Sequence, residues 1–559
     1  MLTRKELKQR GKHSLKKHYL IFTAICLISA FLASEFRGSL NFSTLRNYEE
    51  FIDNPVFEEW RGFLLNIIQQ ISPGSILVTM SASVNSLAVT EKGGIVLLIL
   101  TGTVAMFAFW VFIQNTFGII LRRIFLESHT YESVPISRVL FLLKIKKWMK
   151  AAWIMLVKSV FQLLWSLTII GGIIKHYSYF LVPYITAENP DMTARQAVTL
   201  SRKMMKGHKW ECFVFELSFL GWEILGILTL GVFNILYTNP YKTAAFTEYF
   251  VQLRQESKKA NIPGTELLND IYLYEKADAL LLMEKYVDIL DIMETPSPQE
   301  PELPGIRGFF ARNFGILLFW GKQEKRYEQL QAQHVRNAEL YEALKGTVYP
   351  TRLHPIPEES KRNQIESLNY MRQYSIWSLI LIFLGLSFFG WLWEVTFHLL
   401  LSGEFANQGF LNGPWIPIYG SASVLILTLL YRLRKNPGME FLASIILCGF
   451  LEYMTSLVLE TISGGIKWWD YSEYFLNLNG RVCAEGLLVF GAGGIIVVYV
   501  LAPLADNLLH AADQKLLKLF TLVLLVLFCV DAAYSPFHPN TETGITETSF
   551  SIPIRKGLS

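Results

Sequence analysis

Glu452, Ser456 and Glu460 recur at four-residue intervals within the apolar run Ala443–Ser463, with Thr455 beside Ser456. In a helix that spacing aligns the three side chains along one side. A carboxylate inside a bilayer costs about 2.5–3.5 kcal/mol on insertion scales and faces a bundle interior or a wet cavity. Such a group serves a proton, an ion or a ligand, or else pairs with a cation to lock helices together. Glu394 and Glu485 sit on neighbouring apolar runs, and Arg481 and Lys467 are the cations close by in the chain. The connector "IKWWDYSEYFLNLNGRVC" (Ile466–Cys483) adds Asp470, Asn477 and Asn479 next to Trp468 and Trp469, and paired tryptophans suit a membrane interface. A second connector, "GFLNGPWIPIYG" (Gly409–Gly420), sets glycines and prolines around Asn412 and Pro414. It is not expected to be helical throughout, and non-helical backbone at membrane depth is tolerated where it is buried in protein or lines a wet cavity. The residues Glu394, Asn412, Pro414, Glu452, Thr455, Ser456, Glu460, Asp470, Asn479, Arg481 and Glu485 form the candidate pocket, with Arg481 either bound to the carboxylates or guarding them.

The elements that position these residues are membrane helices. The chain has 559 residues, of which 52% are hydrophobic and 18% charged, against about 25% charged in soluble proteins. Leu20–Ser34, Gly94–Leu121, Ala151–Ile174, Tyr374–Leu401, Ala443–Ser463, Cys483–Leu501 and Leu516–Val530 are long apolar runs. About 20 residues of helix cross the hydrocarbon, and a helix satisfies its own backbone there. The expected fold is all-α and polytopic, in the bacterial plasma membrane.

Charge placement orients it. Seven Lys/Arg and one Glu precede the first run, which puts the N-terminus in the cytoplasm, and the run itself reads as a retained span rather than a cleaved signal. Residues 35–92 carry seven acidic and four basic residues and are expected outside, with "FEEWRGFLLNIIQQI" as an amphipathic helix. Residues 122–150 carry seven Lys/Arg against two Glu and return inside. Hairpins turning near Gly171-Gly172 and near Leu228–Gly231 then bring the first half to six segments. Five more follow, for about eleven, placing Ser402–Trp415 and Ile462–Arg481 outside together. Between the halves, Lys242–Arg372 holds seventeen Lys/Arg and nineteen Asp/Glu and reads as a partly helical cytoplasmic insert with proline-rich linkers. Within it, "ARNFGILLFW" is too short to span and reads as a packing patch. The expected domains are residues 1–255, 256–372, 373–535 and a tail, 536–559.

Two stretches resemble known families. "ELKQRGKHSLKKHY" with "ENP", "SRKMMKGHKW", "LSFLGW" and "NPY" in order resembles the bacterial integral membrane family called domain of unknown function 975, over residues 1–255. "GWLWEV", "GFLNGPWIPIYG", "LEYMTSLVLE", "WWDYS" and "LNGRVC" resemble the putative ABC-transporter type IV (CmpB-like) family, over residues 375–535. The second resemblance implies a permease-like component and, since no G-x-x-x-x-G-K-[ST] occurs in this chain, an ATPase on another polypeptide, with the insert as a docking site. A non-transporting sensor or envelope assembly factor is the alternative. No HExxH or GxSxG occurs, and the five cysteines show no metal or disulfide spacing. The sequence therefore calls for no cofactor, no metal and no nucleic acid, and gives no sign of an enzyme. In the first half, Glu216 and Glu223 on one helix face Lys158 and Gln162 on another in the expected arrangement, an inter-helix Lys–Glu pair being the first reading and a substrate path the alternative. "SRKMMKGHKW" is expected to meet anionic lipid.

Overall fold

The structure is a computed structural model that describes residues 3–32, 35–36, 100, 103–104, 107–229, 231–294, 303–356, 370–402, 406–462, 465, 467, 469–472, 477–538 and 540. The amphipathic segment 57–71, the proline-rich stretches 295–302 and 357–360, Trp468 and the tail beyond 540 lie outside the described residues, and so does the side chain of Glu485. Backbone contacts divide the chain into two units. Of the polar insert, residues up to 299 and from 333 to 366 fall in the first unit, and residues 300–332 fall in the second.

Among the described residues five helices are long and apolar enough to cross a membrane: Phe107–Thr130, Ile376–Val395, Pro437–Ile462, Gly486–Ala511 and Gln514–Tyr534. Tyr19–Ala30 and Pro417–Leu429 are shorter apolar helices.

In the first unit, α1 (Arg4–Lys17) opens on a capping box in which Thr3 and Glu6 satisfy each other's backbone N–H. It breaks at His18 into α2 (Tyr19–Phe31). A π turn at Trp110–Gln114 leads into α3 (Asn115–Thr130), whose side chains are almost all buried. After it come α4 (Trp148–Ser166), α5 (Ile169–Ser178), α6 (Val182–Glu188), α7 (Ala194–Met204), α8 (Lys209–Leu217), α9 (Leu220–Leu228) and α10 (Asn239–Lys259), of which α4, α6 and α10 pack against α3. The first hairpin turns at Leu167–Thr168, ahead of the Gly171-Gly172 pair, which lies inside α5. The second turns at Thr229–Gly231, where Gly231 has φ +86°, a conformation that glycine adopts without strain. Gly11 lets α1 cross α10 closely: a Cβ there would stand 2.7 Å from the Ala245 backbone.

The charged residues of the insert pack into this unit through buried pairs. Arg123 on α3 bonds Glu127 at 2.7 Å and Asp270 at 3.0 Å, Arg138 reaches Glu127 at 2.7 Å, and Tyr349 donates to Asp270 at 2.9 Å. Arg254 on α10 grips Glu188 with two bonds, at 2.6 and 2.7 Å, and Tyr274 donates to the same carboxylate. The cation that joins Glu216 and Glu223 is Lys242, at 3.0 and 2.7 Å, where the sequence offered Lys158. In "SRKMMKGHKW", Arg202, Lys203 and Lys206 are exposed while Met204 and Met205 are buried. The insert helices α11 (Ala279–Lys285) and α12 (Val287–Glu294) pack Leu282, Tyr286 and Ile289 against Ala343 and Val348.

In the second unit, α13 (Gly305–Phe314) ends at Gly315, φ +65°. Ile316–Leu317 then forms β1, parallel to β2 (Tyr374–Ser375). The patch "ARNFGILLFW" is thus a helix end and a buried strand, with Leu317 beside Leu303, Ala311 and Tyr327. The helix α14 (Lys322–Leu344) follows, of which residues 322–332 belong to this unit and 333–344 to the first, then α15 (Ile376–Ser402), α16 (Pro417–Leu429), α17 (Pro437–Ile462) and α18 (Ala484–Ile496). A π turn, Val497–Leu501, continues α18 into α19 (Ala502–Ala511), and α20 (Gln514–Tyr534) closes the unit. Glycines set the approaches: a Cβ on Gly390 would strike the Tyr419 ring at 2.3 Å, and one on Gly420 would strike the Phe383 carbonyl at 2.3 Å. Along α20, Leu516, Leu519, Phe520, Val523, Val526, Leu527 and Val530 are exposed, as suits a helix bordered by lipid.

One end of this bundle is held by Arg372, which bonds Asp506 at 2.5 Å, Asn507, and His510 at 3.1 Å, and stands 3.4 Å from Glu328 of α14. The Trp320 ring stacks on His510 at 4.3 Å. Arg434, wholly buried, donates to the carbonyls of Tyr370 and Arg372 at 3.1 and 2.9 Å.

Arg254→Ala leaves Glu188 buried without its cation and should destabilise the first unit by about 3–5 kcal/mol. Lys345→Ala, which removes an exposed pair with Glu342, should stay within about 0.5 kcal/mol; melting of the purified variants in detergent separates the two. Burial pushes the Glu328 carboxyl up to about 7 against the opposing pull of Arg372, with Asp506 adding to the rise. The folded state then binds more protons than the unfolded one, so the stability contributed by this group is greatest below the ordinary value of 4.5 and is lost as pH rises to about 7. Glu328→Gln should flatten that part of the melting-temperature profile, and an unchanged slope would contradict the assignment.

Candidate functional site

The candidate residues of the second unit gather on α15, α16, α17 and the connector before α18. Glu452 on α17 is buried, and Tyr471 of the connector donates to its Oε1 at 3.3 Å. Its Oε2 and the Oγ of Ser456, one turn on, have no hydrogen-bond partner among the described residues. Across from them Tyr419, in the first turn of α16, donates to Glu394 of α15 at 2.5 Å. Tyr419 and Tyr471 each lie within electrostatic range of both Glu394 and Glu452, so two carboxylates and two phenols form one cluster. Burial, and after it the negative charge of Glu452, hold the Tyr471 phenol far above its usual range, which keeps it a donor. Thr455 lies half-buried beside Ser456.

A second group closes over the end of α17. Arg481 pairs with Glu460, its guanidinium lies 5.4 Å from the Tyr453 ring, and its carbonyl accepts from the Trp469 indole at 3.0 Å. These contacts come from a tight turn in which Leu478 bridges Val482 and in which Asn479 (φ +55°) and Gly480 (φ +69°) are left-handed, the conformation for which Asn and Gly are suited. Asn479 donates to Tyr453 Oη at 2.9 Å. Asp470 turns toward its own loop, where it accepts from Ser472 and stands 3.5 Å from Lys467. Burial pulls its carboxyl up, but the Ser472 bonds and the Lys467 charge outweigh that and hold it below the usual carboxylate range. Cys483 caps α18, its Sγ accepting from the Gly486 N–H at 3.4 Å.

The Gly409–Gly420 connector is pinned by a residue that has no motif around it. Asp531, near the C-terminal end of α20, accepts the backbone N–H of Asn412 at 3.2 Å and of Gly413 at 2.9 Å. The Asn412 amide donates to Ser535 Oγ at 3.1 Å and to the His538 carbonyl at 2.9 Å. A Cβ on Gly413 would stand 2.9 Å from Asp531 Oδ2, so glycine is what allows the approach. Pro414 follows within this pinned loop. The structure therefore brings Glu394, Glu452, Thr455 and Ser456 to one place and Glu460, Arg481 and Asn479 to a second, while the contacts of Asn412 tie it to the end of α20.

Charge-assisted hydrogen bonds contribute about 1.5–3 kcal/mol each. Asp531→Ala should therefore speed amide exchange at Asn412 and Gly413 at least about tenfold, as 1.4 kcal/mol requires, with Asp531→Asn intermediate. Unchanged exchange in a peptide covering 409–416 would remove Asp531 from this role.

Two family models match the chain. One, described as Protein of unknown function (DUF975), covers residues 1–257, and the other, described as Putative ABC-transporter type IV, covers residues 381–536. No curated protein and no solved structure matches the chain. Both matches fall where the sequence motifs placed them. The protein thus joins, in one polypeptide with helices long and apolar enough for a membrane, a segment similar to the DUF975 family and a segment similar to the Putative ABC-transporter type IV family.

Proposed function

We propose that residues 373–535 act as a permease-like component and that the cluster of Glu394, Tyr419, Glu452 and Tyr471 is its binding pocket for a cationic group. The observation that carries this reading is the half-satisfied Glu452: a buried carboxylate with one oxygen held by Tyr471 and the other without a hydrogen-bond partner among the described residues. Glu460 is neutralised by Arg481, which leaves Glu452 and Glu394 as the negative charges a ligand would meet. Two phenols beside them suit an ammonium group, since aromatic faces attract cations by about 0.5–2 kcal/mol. The Arg481–Glu460 pair then latches the Leu478–Val482 turn over the mouth. By the charge distribution of the chain this mouth faces outward and the N-terminus is cytoplasmic. The family match at residues 381–536 favours transport, with any ATPase supplied by a separate polypeptide and docked through residues 242–372.

The reading is tested by equilibrium binding to the purified full chain, using a panel of primary amines, quaternary ammonium ions and uncharged amides of similar size. Binding should be confined to the cations, and Glu452→Gln should weaken it about tenfold or more, the loss of one charged hydrogen-bonding partner. Equal binding of the uncharged amides, or full affinity in Glu452→Gln, would sink the proposal.

A further inference from the structure

The polar row on α17 does not stop at Glu452. Stepping back from Ser456 in fours gives Glu452, Cys448, Ser444 and Glu440, and all five side chains are buried. On the remaining surface Met439, Leu442, Ile446, Phe450 and Val458 are exposed. The helix is polar where protein covers it and apolar where lipid would. Glu440 and Glu460 are twenty residues apart, a rise of about 30 Å, which matches the thickness of the hydrocarbon core. A hydroxyl, thiol or carboxyl therefore recurs about every 6 Å along the row.

The row follows the four-residue ridge and slants around the helix, so its neighbours change along it. Glu440 faces Arg434 and, from the π turn after α18, Tyr499. Ser444 meets Gly494, where a Cβ would stand 2.6 Å from its Oγ. Glu452 faces Cys448 on its own helix, Tyr471 of the connector, and Tyr419 with Glu394 beyond it. Glu460 is held by Arg481.

Glu440 is fully buried, and neither of its oxygens has a hydrogen-bond partner among the described residues; the same holds for Ser444 Oγ and Ser456 Oγ. Each such atom needs a physical reason: Arg434 acts on Glu440 through its charge, but an ionised carboxylate with no hydrogen-bond partner in that setting is costly. Among the described residues no group of three His, Cys, Asp or Glu could hold a metal ion. Carboxylates spaced by several turns also cannot surround a hard cation with the six or more oxygens it takes. A proton needs only one oxygen at a time.

We propose that this row is a proton relay through the second unit, with Glu440 and Glu452 as its exchange sites and Ser444, Cys448 and Ser456 orienting the water between them. One O–H bond breaks at the donor carboxyl and one forms at the acceptor. Intervening water passes the proton on, and the net movement is a single H⁺ along the row. The relay rests on the permease reading: a proton arriving at Glu452 neutralises the charge that holds a cation, so proton entry and cation release become one event.

The test uses the full chain in liposomes that enclose a pH-sensitive dye, with a potassium diffusion potential imposed through valinomycin. The wild type should pass protons on demand. Glu440→Gln and Glu452→Gln should each cut the flux at least tenfold, and Glu440→Asp should keep part of it. Cation binding should survive in Glu440→Gln, which also shows that the variant is folded. An undiminished flux in Glu440→Gln, or no flux in the wild type, overturns the relay. If Glu440→Gln does not fold, the infrared C=O band of a protonated carboxyl in the wild type decides: the relay requires one that shifts in D₂O, and its absence overturns the proposal. If binding is cation-selective and depends on Glu452 while the flux ignores Glu440, only the relay fails. If the flux depends on Glu440 but uncharged amides bind as well as cations, the pocket reading fails and the relay stands.

Discussion

A helix that borders lipid on one side and protein on the other must be apolar toward the lipid, and α17 meets that demand by turning its polar residues inward. The cost of a charge in hydrocarbon sets the arrangement of everything around it. The glycines of α18 let that helix close on the polar row: a Cβ on Gly491 would strike the Phe441 ring at 2.6 Å, and one on Gly494 would strike Ser444. The aromatic connector brings Tyr471 and Arg481 to two of the carboxylates. The Gly/Pro loop, tied down by Asp531, delivers α16 so that Tyr419 reaches Glu394. Each device serves to surround carboxylates that would otherwise face lipid.

The first unit solves the same problem differently. Among the described residues its buried and half-buried charges meet partners: Arg123 with Glu127 and Asp270, Arg254 with Glu188, Lys242 with Glu216 and Glu223. Matched pairs of this kind add little net stability over apolar packing but are expensive to break. They bind the polar segments near Asp270 and Tyr349 to α3 and leave no carboxylate waiting for a partner at those positions. In the second unit, by contrast, neither oxygen of Glu440, which faces Arg434, and only one oxygen of Glu452 has a hydrogen-bond partner among the described residues. That contrast is why function is assigned there.

Much of this was legible in the chain itself. Five of the apolar runs marked helices long enough to span, and the four-residue spacing of Glu452, Ser456 and Glu460 marked one polar side. The same spacing continues back through Cys448 and Ser444 to Glu440, yet serine and cysteine are ordinary in apolar helices, and Glu440 lies at the start of the run, where a carboxylate usually reaches water. Only burial shows that it does not. The partner of Glu216 and Glu223 was not legible either, because Lys158 and Lys242 are both basic residues near membrane helices and spacing cannot choose between separate helices. Asp531 was invisible for a similar reason: its acceptors' partners are backbone N–H groups of a loop over a hundred residues earlier. Nor could spacing say which carboxylate Arg481 meets: it pairs with Glu460 rather than with Glu452.

The central claim is that α17 has a protein-covered polar row and a lipid-facing apolar surface. A cysteine-substituted spin-label scan along residues 440–460, in a background without native cysteines, measures both surfaces at once by collision with a water-soluble nickel chelate and with oxygen. The account predicts low oxygen collision at the protein-covered positions Ser444, Cys448 and Ser456 and high oxygen collision at Ile446, Phe450 and Val458, the signal alternating with the helical period. Oxygen dominating at every position, with no such alternation, would contradict it.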